Sequence, residues 1–153
     1  MPDRRLVLQD LHDRPITQEM AKQVVYQSPS VTVWYHPESN VVHSHVHKFV
    51  TGKEFQDFLM AGYNVLVKNR SKKWLSDDRS NSVLRKEDVD WGNQNWFPKC
   101  VSAGWKYWAI VQPAKVLAAA PMERLVEDFK QFGVTSKFFS DSQEAMRWLE
   151  SQA

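Results

Sequence analysis

Two adjacent carboxylates, Asp77 and Asp78, follow a short apolar run that begins at Trp74. Carboxylates at the end of a strand bind magnesium or act as nucleophiles in many α/β enzymes, so both residues are candidates for chemistry. Successive side chains of an extended chain point to opposite sides, and the two can share a site only if the backbone turns between them. Arg79 follows directly as an ion-pair partner. We therefore expect a structural loop network here rather than a catalytic pair.

Three histidines, His43, His45 and His47, alternate with other residues in the segment after Asn40. On a strand they would share one face, with side chains about 6.6 Å apart, a spacing at which neighbouring pairs could bind zinc. No cysteine and no HExxH pattern completes a set of ligands. We therefore expect an exposed sheet face that meets solvent or a partner, with no metal and no cofactor.

The composition is that of a folded protein with nearly balanced charge. The 153 residues are 42% hydrophobic, which is enough for one compact domain whose core needs no metal or disulfide. Lys and Arg number 20 against 18 Asp and Glu, so nothing favours nucleic acid or an anionic membrane surface as a partner. No apolar segment approaches the roughly 20 residues of a membrane span, which favours a cytoplasmic protein without membrane insertion. The single cysteine, Cys100, lies in an apolar stretch and is expected to be buried and reduced.

A β-hairpin opens the predicted domain. Residues 1–22 are expected to form an arm, partly flexible, ahead of a single domain at residues 23–153. Alternation over residues 31–36 and 41–50 surrounds a turn sequence, so the two runs should pair as antiparallel strands. One face of the hairpin then holds valines, which we expect to pack under helices, and the other face holds the histidines. The pairs predicted by this turn are Thr32 with His45, Trp34 with His43 and His36 with Val41.

After the hairpin the pattern alternates between helices and strands. Thr51 and Glu54 have the spacing of a capping box, and the apolar stripe that follows them predicts a helix. Pro98 should kink or break the next helix, because it lacks the N–H that an interior position needs. The predicted order is β-β-α-β-α-β-α-β-α in one mixed sheet, which is parallel except for its first strand. The later elements are a strand at Trp74–Asp77, a helix from about Lys86, a central strand at Tyr107–Val111, a helix from Pro121, a strand at Val134–Phe139 and a helix from Asp141.

Several segments and the element order resemble those of a known family. The segments are Trp74–Arg79, Trp96–Pro98, Ala103–Lys106 and Ala109–Val111, which look like those of small SpoIIAA-like bacterial proteins. The order is similar to that of STAS domains, the fold of the anti-sigma-factor antagonist SpoIIAA, which also groups with SEC14-like lipid-binding domains. The resemblance covers residues 24–150. It implies a SpoIIAA-like α/β fold and a non-enzymatic interaction or signalling module.

In the antagonist proteins the loop after this strand contains an Asp-Ser pair, and a partner kinase phosphorylates that serine at the start of the next helix. The loop of this chain has neither an Asp-Ser pair nor a glycine. The resemblance places a phosphorylated serine at Ser80 or Ser82, while Ser82 also suits a simple helix-capping residue. The predicted interaction loop comprises Asp77, Asp78, Arg79, Ser80, Asn81 and Ser82.

Three functions remain open from the sequence. The first is a non-enzymatic module that binds an unidentified protein partner through the interaction loop and the histidine face, or forms a homodimer through the free edge of its first strand. The second is a carrier with an apolar pocket lined by tryptophans, as the SEC14-like relatives suggest. The third is a metal-dependent enzyme that uses the histidines or the aspartates. The tryptophans concerned are Trp91, Trp96, Trp105 and Trp108, for which core packing is the alternative role.

Overall fold

The computed structural model describes residues 22–81, 83–119 and 122–153, which form an α/β structure around one six-stranded sheet. The strands are β1 (Gln23–Gln27), β2 (Val31–His36), β3 (Val41–Val46), β4 (Lys73–Asp77), β5 (Tyr107–Val111) and β6 (Thr135–Phe139). The helices are α1 (Gly52–Lys68), α2 (Lys86–Trp91), α3 (Phe97–Ser102), α4 (Ala114–Ala119), α5 (Met122–Gln131) and α6 (Ser142–Glu150), and a π-helical turn, Gly92–Trp96, joins α2 to α3. The strands lie side by side in chain order, antiparallel from β1 to β3 and parallel from β3 to β6.

This architecture confirms the predicted mixed α/β sheet and adds a strand and a helix that the sequence pattern did not predict. The additional strand, β1, pairs with β2 through a register that shifts between Val24 and Tyr26. Such a bulge breaks the alternation by which a strand is recognised in a sequence. Because β1 covers the edge of β2, the prediction that the hairpin's first strand has a free edge for self-pairing is wrong. The additional helix is α4. The predicted arm lies outside the described residues except for Lys22, and Pro121, the predicted start of a helix, also lies outside them.

The hairpin of β2 and β3 has the predicted register. Trp34 lies opposite His43 and Thr32 lies opposite His45, as the four-residue turn requires. Asn40 closes this turn with a positive φ of 55°, a conformation that asparagine tolerates better than most residues. Val31, Val33, Val42 and Val46 of the hairpin are buried beneath α1, so the prediction that this face takes helices is confirmed.

Helix α1 packs closely on the sheet, but its N-terminus is not capped as predicted. The ring of Trp74 lies directly against Gly62, where an added Cβ would come within 2.2 Å of a ring carbon. Thr51 and Glu54 form no capping box, because Thr51 instead donates its hydroxyl hydrogen bond to the Asp88 carboxylate at 2.6 Å. The same carboxylate accepts from the backbone N–H of Gly52 at 3.0 Å. A residue of α2 therefore binds the start of α1 and joins the two helices.

The helical segment before β5 is interrupted ahead of Pro98, as predicted. A π-helical turn ends at Trp96, and α3 begins at Phe97 with the proline in its first turn. Proline is tolerated there, because the first N–H groups of a helix have no partner within it. Cys100 of α3 is buried, which confirms the expected burial, and that burial raises the pKa of its thiol to about 12.

The sheet has two faces with different coverings. The cavity face, defined by Ser44, Ser76 and Trp108, is covered by α1, by the segment from α2 to α3, and by α5. The histidine face carries Trp34, the three alternating histidines and Asp77, and α6 covers it only over β4 to β6. Of the helices that the structure describes, none combines the length and apolar character of a membrane span.

Candidate functional site

A cavity of about 870 Å³ lies between the cavity face and the helices that cover it. Its floor is formed near the carboxyl ends of β3, β4 and β5, the position at which parallel α/β sheets commonly bind ligands. Its walls are mainly apolar and include rings from four separate helical segments. These rings belong to Phe55, Phe58, Trp96, Phe97, Trp108 of the floor and Phe129.

Small side chains on the strands leave room for the cavity. Ser44 of β3 and Ser76 of β4 stand on the floor, where larger residues would fill the space. Their hydroxyl oxygens accept hydrogen bonds from the indole N–H groups of Trp74, at 3.1 Å, and Trp108, at 2.9 Å. These bonds hold the two indoles in fixed orientations and satisfy their donors. Ser76 therefore positions Trp108 of the cavity lining, while Ser44 orients the buried Trp74.

Asp78 reaches this cavity from the end of β4. Its backbone N–H donates to the Val111 carbonyl at 2.8 Å, which continues the pairing of β4 with β5 for one more residue. The side chain is half-buried and lines the cavity. Burial, and then the negative charge of Asp77, raise the pKa of Asp78 to about 7. At neutral pH this carboxyl group is thus divided between its protonated and ionised forms.

Two other polar groups at the cavity have no hydrogen-bond partner among the described residues. They are the indole N–H of Trp96, a donor, and the side-chain oxygen of Gln112, an acceptor. Both atoms are buried, and an unpaired buried polar atom costs about 1–3 kcal/mol. Neither cost is offset within the described residues, which is a feature of sites that accept a polar group from a ligand.

Asp77 points to the opposite side of the sheet and has a different environment. It is buried, with 3% of its surface exposed. The Arg79 guanidinium donates to its carboxylate at 3.0 and 2.8 Å, and the Arg79 backbone N–H donates at 3.2 Å. Burial alone would raise the pKa of Asp77, but the bonds from Arg79 outweigh it and the pKa is lowered. The prediction that the two aspartates point to opposite sides is confirmed. The predicted loop network joins Asp77 to Arg79, whereas Asp78 lines the cavity, and the expected exposure as an interaction surface is wrong for Asp77.

Of the rest of the interaction loop, the structure describes Arg79, Ser80 and Asn81. Arg79 and Ser80 are exposed, and Asn81 is half-buried at the cavity, where its side chain accepts from the Val83 N–H at 3.0 Å. Helix α2 starts at Lys86 with Arg85 as its N-cap, so the prediction that Ser82 caps it is wrong. Ser82 itself lies outside the described residues. Phosphorylation at Ser80 or Ser82 stays a prediction, and Ser80 is not at a helix start.

The histidine face is less exposed than predicted. His43 is half-buried, and its ring lies 3.0 Å from His36 through one nitrogen, while its Nε2 is buried without a partner among the described residues. Burial, and then His36, lower the pKa of His43 to about 3; burial and Lys22 lower that of His36 to about 4. His45 is half-buried and only His47 is exposed, so the expected exposed face is wrong for His43.

The described residues do not bring metal ligands together. Across residues 22–81, 83–119 and 122–153, no three His, Cys, Asp or Glu side chains are close enough to hold an ion. The four tryptophans divide between the two roles weighed for them. Trp96 and Trp108 line the cavity, while Trp105 is fully buried behind them and Trp91 is half-buried outside the lining.

Sequence patterns missed three residues that define the site. Asp88 and Gln112 stand in no recognisable motif, and the small size of Ser76 has a meaning only once the opposing helices are in place. Compared with known protein-family models, curated proteins and solved structures, the chain has no significant match. The resemblance to SpoIIAA-like and STAS proteins therefore stays a prediction.

Proposed function

We propose that this protein binds a small molecule with a large apolar part in the cavity at the carboxyl ends of β3 to β5. The observation that supports the proposal is the cavity of about 870 Å³ with aromatic and aliphatic walls. Ligand sites in proteins typically enclose about 300–1,000 Å³ and are lined mainly by apolar side chains with a few polar groups. This cavity has that size, that lining and that location.

The energetics favour an apolar ligand. Removing about 200 Å² of ligand surface from water would contribute about 5 kcal/mol before the cost of immobilising the ligand. The ring centroids of Trp96, Phe97 and Trp108 lie within 6.5 Å of one another, and the three rings form a continuous aromatic wall. Such rings offer large contact areas with little loss of side-chain freedom. We infer a carrier or sensor of small molecules rather than a catalyst, because binding needs only this shape and surface.

The interaction module, the first of the three hypotheses, receives less support. Its expected contact residues included both aspartates, yet Asp77 is ion-paired and buried and Asp78 lines the cavity. Only Arg79 and Ser80 of the described loop remain exposed. A protein partner for this loop stays a prediction.

Nile red, a neutral apolar dye whose fluorescence rises in apolar surroundings, tests the proposed function. We expect saturable binding to the full chain. Val89→Trp should weaken that binding at least about tenfold, because Val89 lines the cavity and the larger indole would take up part of the space that the dye needs.

Val67→Trp provides the matched control. Val67 is a helical valine of similar exposure, 44% against 39% for Val89, but it does not line the cavity. We expect its affinity for the dye to equal that of the unmodified chain. Absence of saturable binding, or equal affinities in the two variants, would contradict the proposal.

A further inference from the structure

The described residues that line the cavity carry charge of one sign only. They include three carboxylates, Asp78, Asp88 and Asp128, and no Lys, Arg or His. Charges interact more strongly in a partly desolvated cavity than in water. A ligand with a carboxylate or phosphate would therefore be repelled, whereas a neutral or cationic ligand would not.

Asp78 is the carboxylate that is available to a ligand. Asp88 is already bound to the start of α1, through Thr51 and the Gly52 N–H. Asp128 is exposed on α5, where water screens its charge. Asp78, in contrast, is half-buried, and only burial and the like charge of Asp77 act on its ionisation. An approaching cation would thus meet no competing partner at Asp78 among the described residues.

A second acceptor, the Gln112 side chain, directly follows the neighbouring strand β5. Asp77 pairs with Val111 in the register of β4 and β5, so the next residues along, Asp78 and Gln112, are cross-strand neighbours. Adjacent strands lie about 4.8 Å apart, a distance that one nitrogen group can bridge. The Gln112 side-chain oxygen is buried at the cavity and has no donor among the described residues.

The aromatic wall suits a cation as well as an apolar chain. The electron-rich faces of aromatic rings attract ammonium groups, by about 2 kcal/mol or more where water is excluded. Trp108, whose N–H is bound to Ser76 two residues before Asp78, belongs to this wall. Trp108, Asp78 and Gln112 all line the cavity, so a ring, a carboxylate and an amide oxygen are available to one ligand.

We propose that the natural ligand is an apolar organic amine, whose ammonium group pairs with the Asp78 carboxylate and donates to the Gln112 oxygen while its hydrocarbon part lies against the aromatic wall. This inference rests on the proposed function and adds the class of ligand to it. The raised pKa of Asp78, about 7, gives the inference a pH dependence. An ammonium group favours the ionised carboxyl group, so binding releases a proton and becomes tighter as pH rises through that value.

Octylamine, n-octanol and sodium octanoate separate the ligand classes, because they share one hydrocarbon chain and differ in charge. Each is titrated against the dye-loaded protein, and its affinity is measured by displacement of Nile red. We expect octylamine to bind at least about tenfold tighter than n-octanol, and octanoate to bind most weakly. The affinity of octylamine should rise between about pH 6 and about pH 8, a range in which an alkylammonium stays charged. That of n-octanol should not change.

Asp78→Asn removes the charge and retains the shape. We expect this variant to bind octylamine and n-octanol equally, and its n-octanol affinity reports whether the cavity is still formed. Asp57→Asn, which replaces an ion-paired carboxylate of α1 outside the cavity, should keep the preference for the amine.

The outcomes distinguish this inference from the proposed function. If n-octanol displaces the dye and octylamine is no tighter, or octanoate is tightest, the ligand is not an amine but the cavity still binds apolar molecules. If octylamine is preferred equally by the unmodified chain and Asp78→Asn, Asp78 is not the partner and the inference fails. If neither the dye nor any of the three probes binds, both proposals fail.

Discussion

On the histidine face Asp77 lies against the Arg79 guanidinium, whereas on the cavity face its neighbour Asp78 has no cation beside it among the described residues. The two carboxylates are adjacent in the chain and differ only in the side of the sheet to which they point. One has a lowered pKa and the other a raised one. The alternation of a strand thus places chemically identical side chains in environments with opposite effects on ionisation.

The two faces also differ in their response to pH. Asp78, with its raised pKa, makes the folded state less stable as pH rises from about 4 to about 7. His36 and His43, with lowered pKa values, make it less stable as pH falls below 6.5. The two effects oppose each other between about pH 4 and pH 6.5. If the stability of the whole protein depends only weakly on pH, that is because two strong contributions, one from each face, oppose each other.

The largest expected effect comes from removing the charge of Asp78. The folded protein holds the Asp78 proton up to about pH 7 while the unfolded chain releases it near 3.8, so ionisation costs stability above that range. Asp78→Asn should be more stable than the unmodified chain by up to about 4 kcal/mol near pH 8, and equal to it near pH 4. Urea unfolding at the two pH values measures this difference. Asp57→Asn is the control. If Asp78→Asn and the unmodified chain were equally stable at both pH values, Asp78 would be hydrated rather than buried.

The next largest effect on stability is expected from removing Arg79, the ion-pair partner of Asp77. Arg79→Ala leaves a buried carboxylate without its guanidinium and should destabilise the protein by about 3 kcal/mol, at the lower end for buried pairs because Arg79 is 40% exposed. Arg85→Ala is the control, since Arg85 and Glu87 form an ion pair that is exposed on both sides. Its cost should stay below about 1 kcal/mol. If the two variants had similar unfolding free energies, the buried Asp77–Arg79 pair would stabilise the fold no more than an exposed pair does.

A third prediction concerns packing on the cavity face, which is close beneath α1 and open farther along the strands. Gly62→Ala should destabilise the protein by about 2 kcal/mol, because its Cβ would overlap the Trp74 ring. At Gly92, which borders the cavity, an added Cβ would have its nearest neighbours at 3.9 Å. Gly92→Ala should therefore be neutral, or stabilise by up to about 1 kcal/mol through helix propensity. Thermal unfolding of the two variants measures the difference, and a stable Gly62→Ala variant would mean that Trp74 has room to move.

The smallest expected effect is that of a single buried histidine. The unfolded chain gains protons below 6.5, whereas His43 resists them to about 3. At about pH 5.5 this difference costs the folded state about 1.4 kcal/mol, and His43→Gln should remove that cost. The free energy of unfolding, measured from about pH 7 to about pH 5.5, tests this prediction. If it changes with pH equally in His43→Gln and in the unmodified chain, burial of His43 is not the cause of the acid dependence.

The fold could largely be predicted from local patterns, because these are set by geometry along the chain. Alternation and turn chemistry predict the register of β2 and β3, and the apolar stripe predicts α1. Pro98 predicts an irregularity in the helical segment before β5, which the structure shows as a π-helical turn, since its missing N–H acts wherever the rest of the chain lies. The bulged strand β1 and the short helix α4 escape prediction, because neither has a regular apolar period.

The candidate site could be predicted only in part. Asp78 of the predicted interaction loop and two of the four tryptophans, Trp96 and Trp108, line the cavity, but the loop's predicted role as an open surface did not follow from its charges. Asp88 shows the same limit, because its bonds to Thr51 and Gly52 join segments that are far apart in the chain. Motifs describe neighbours in sequence, and these contacts are neighbours only in space.

The sequence by itself determined that Asp77 and Asp78 point to opposite sides of a strand, because alternation is a property of the extended backbone. Only the tertiary structure decided which of them is paired and which is not. Arg79 folds back over one face, while helices α1 to α3 and α5 stand away from the small serines of the other and leave a cavity. Burial and charge depend on the distances between packed elements, which determine the free energy of each ionised group.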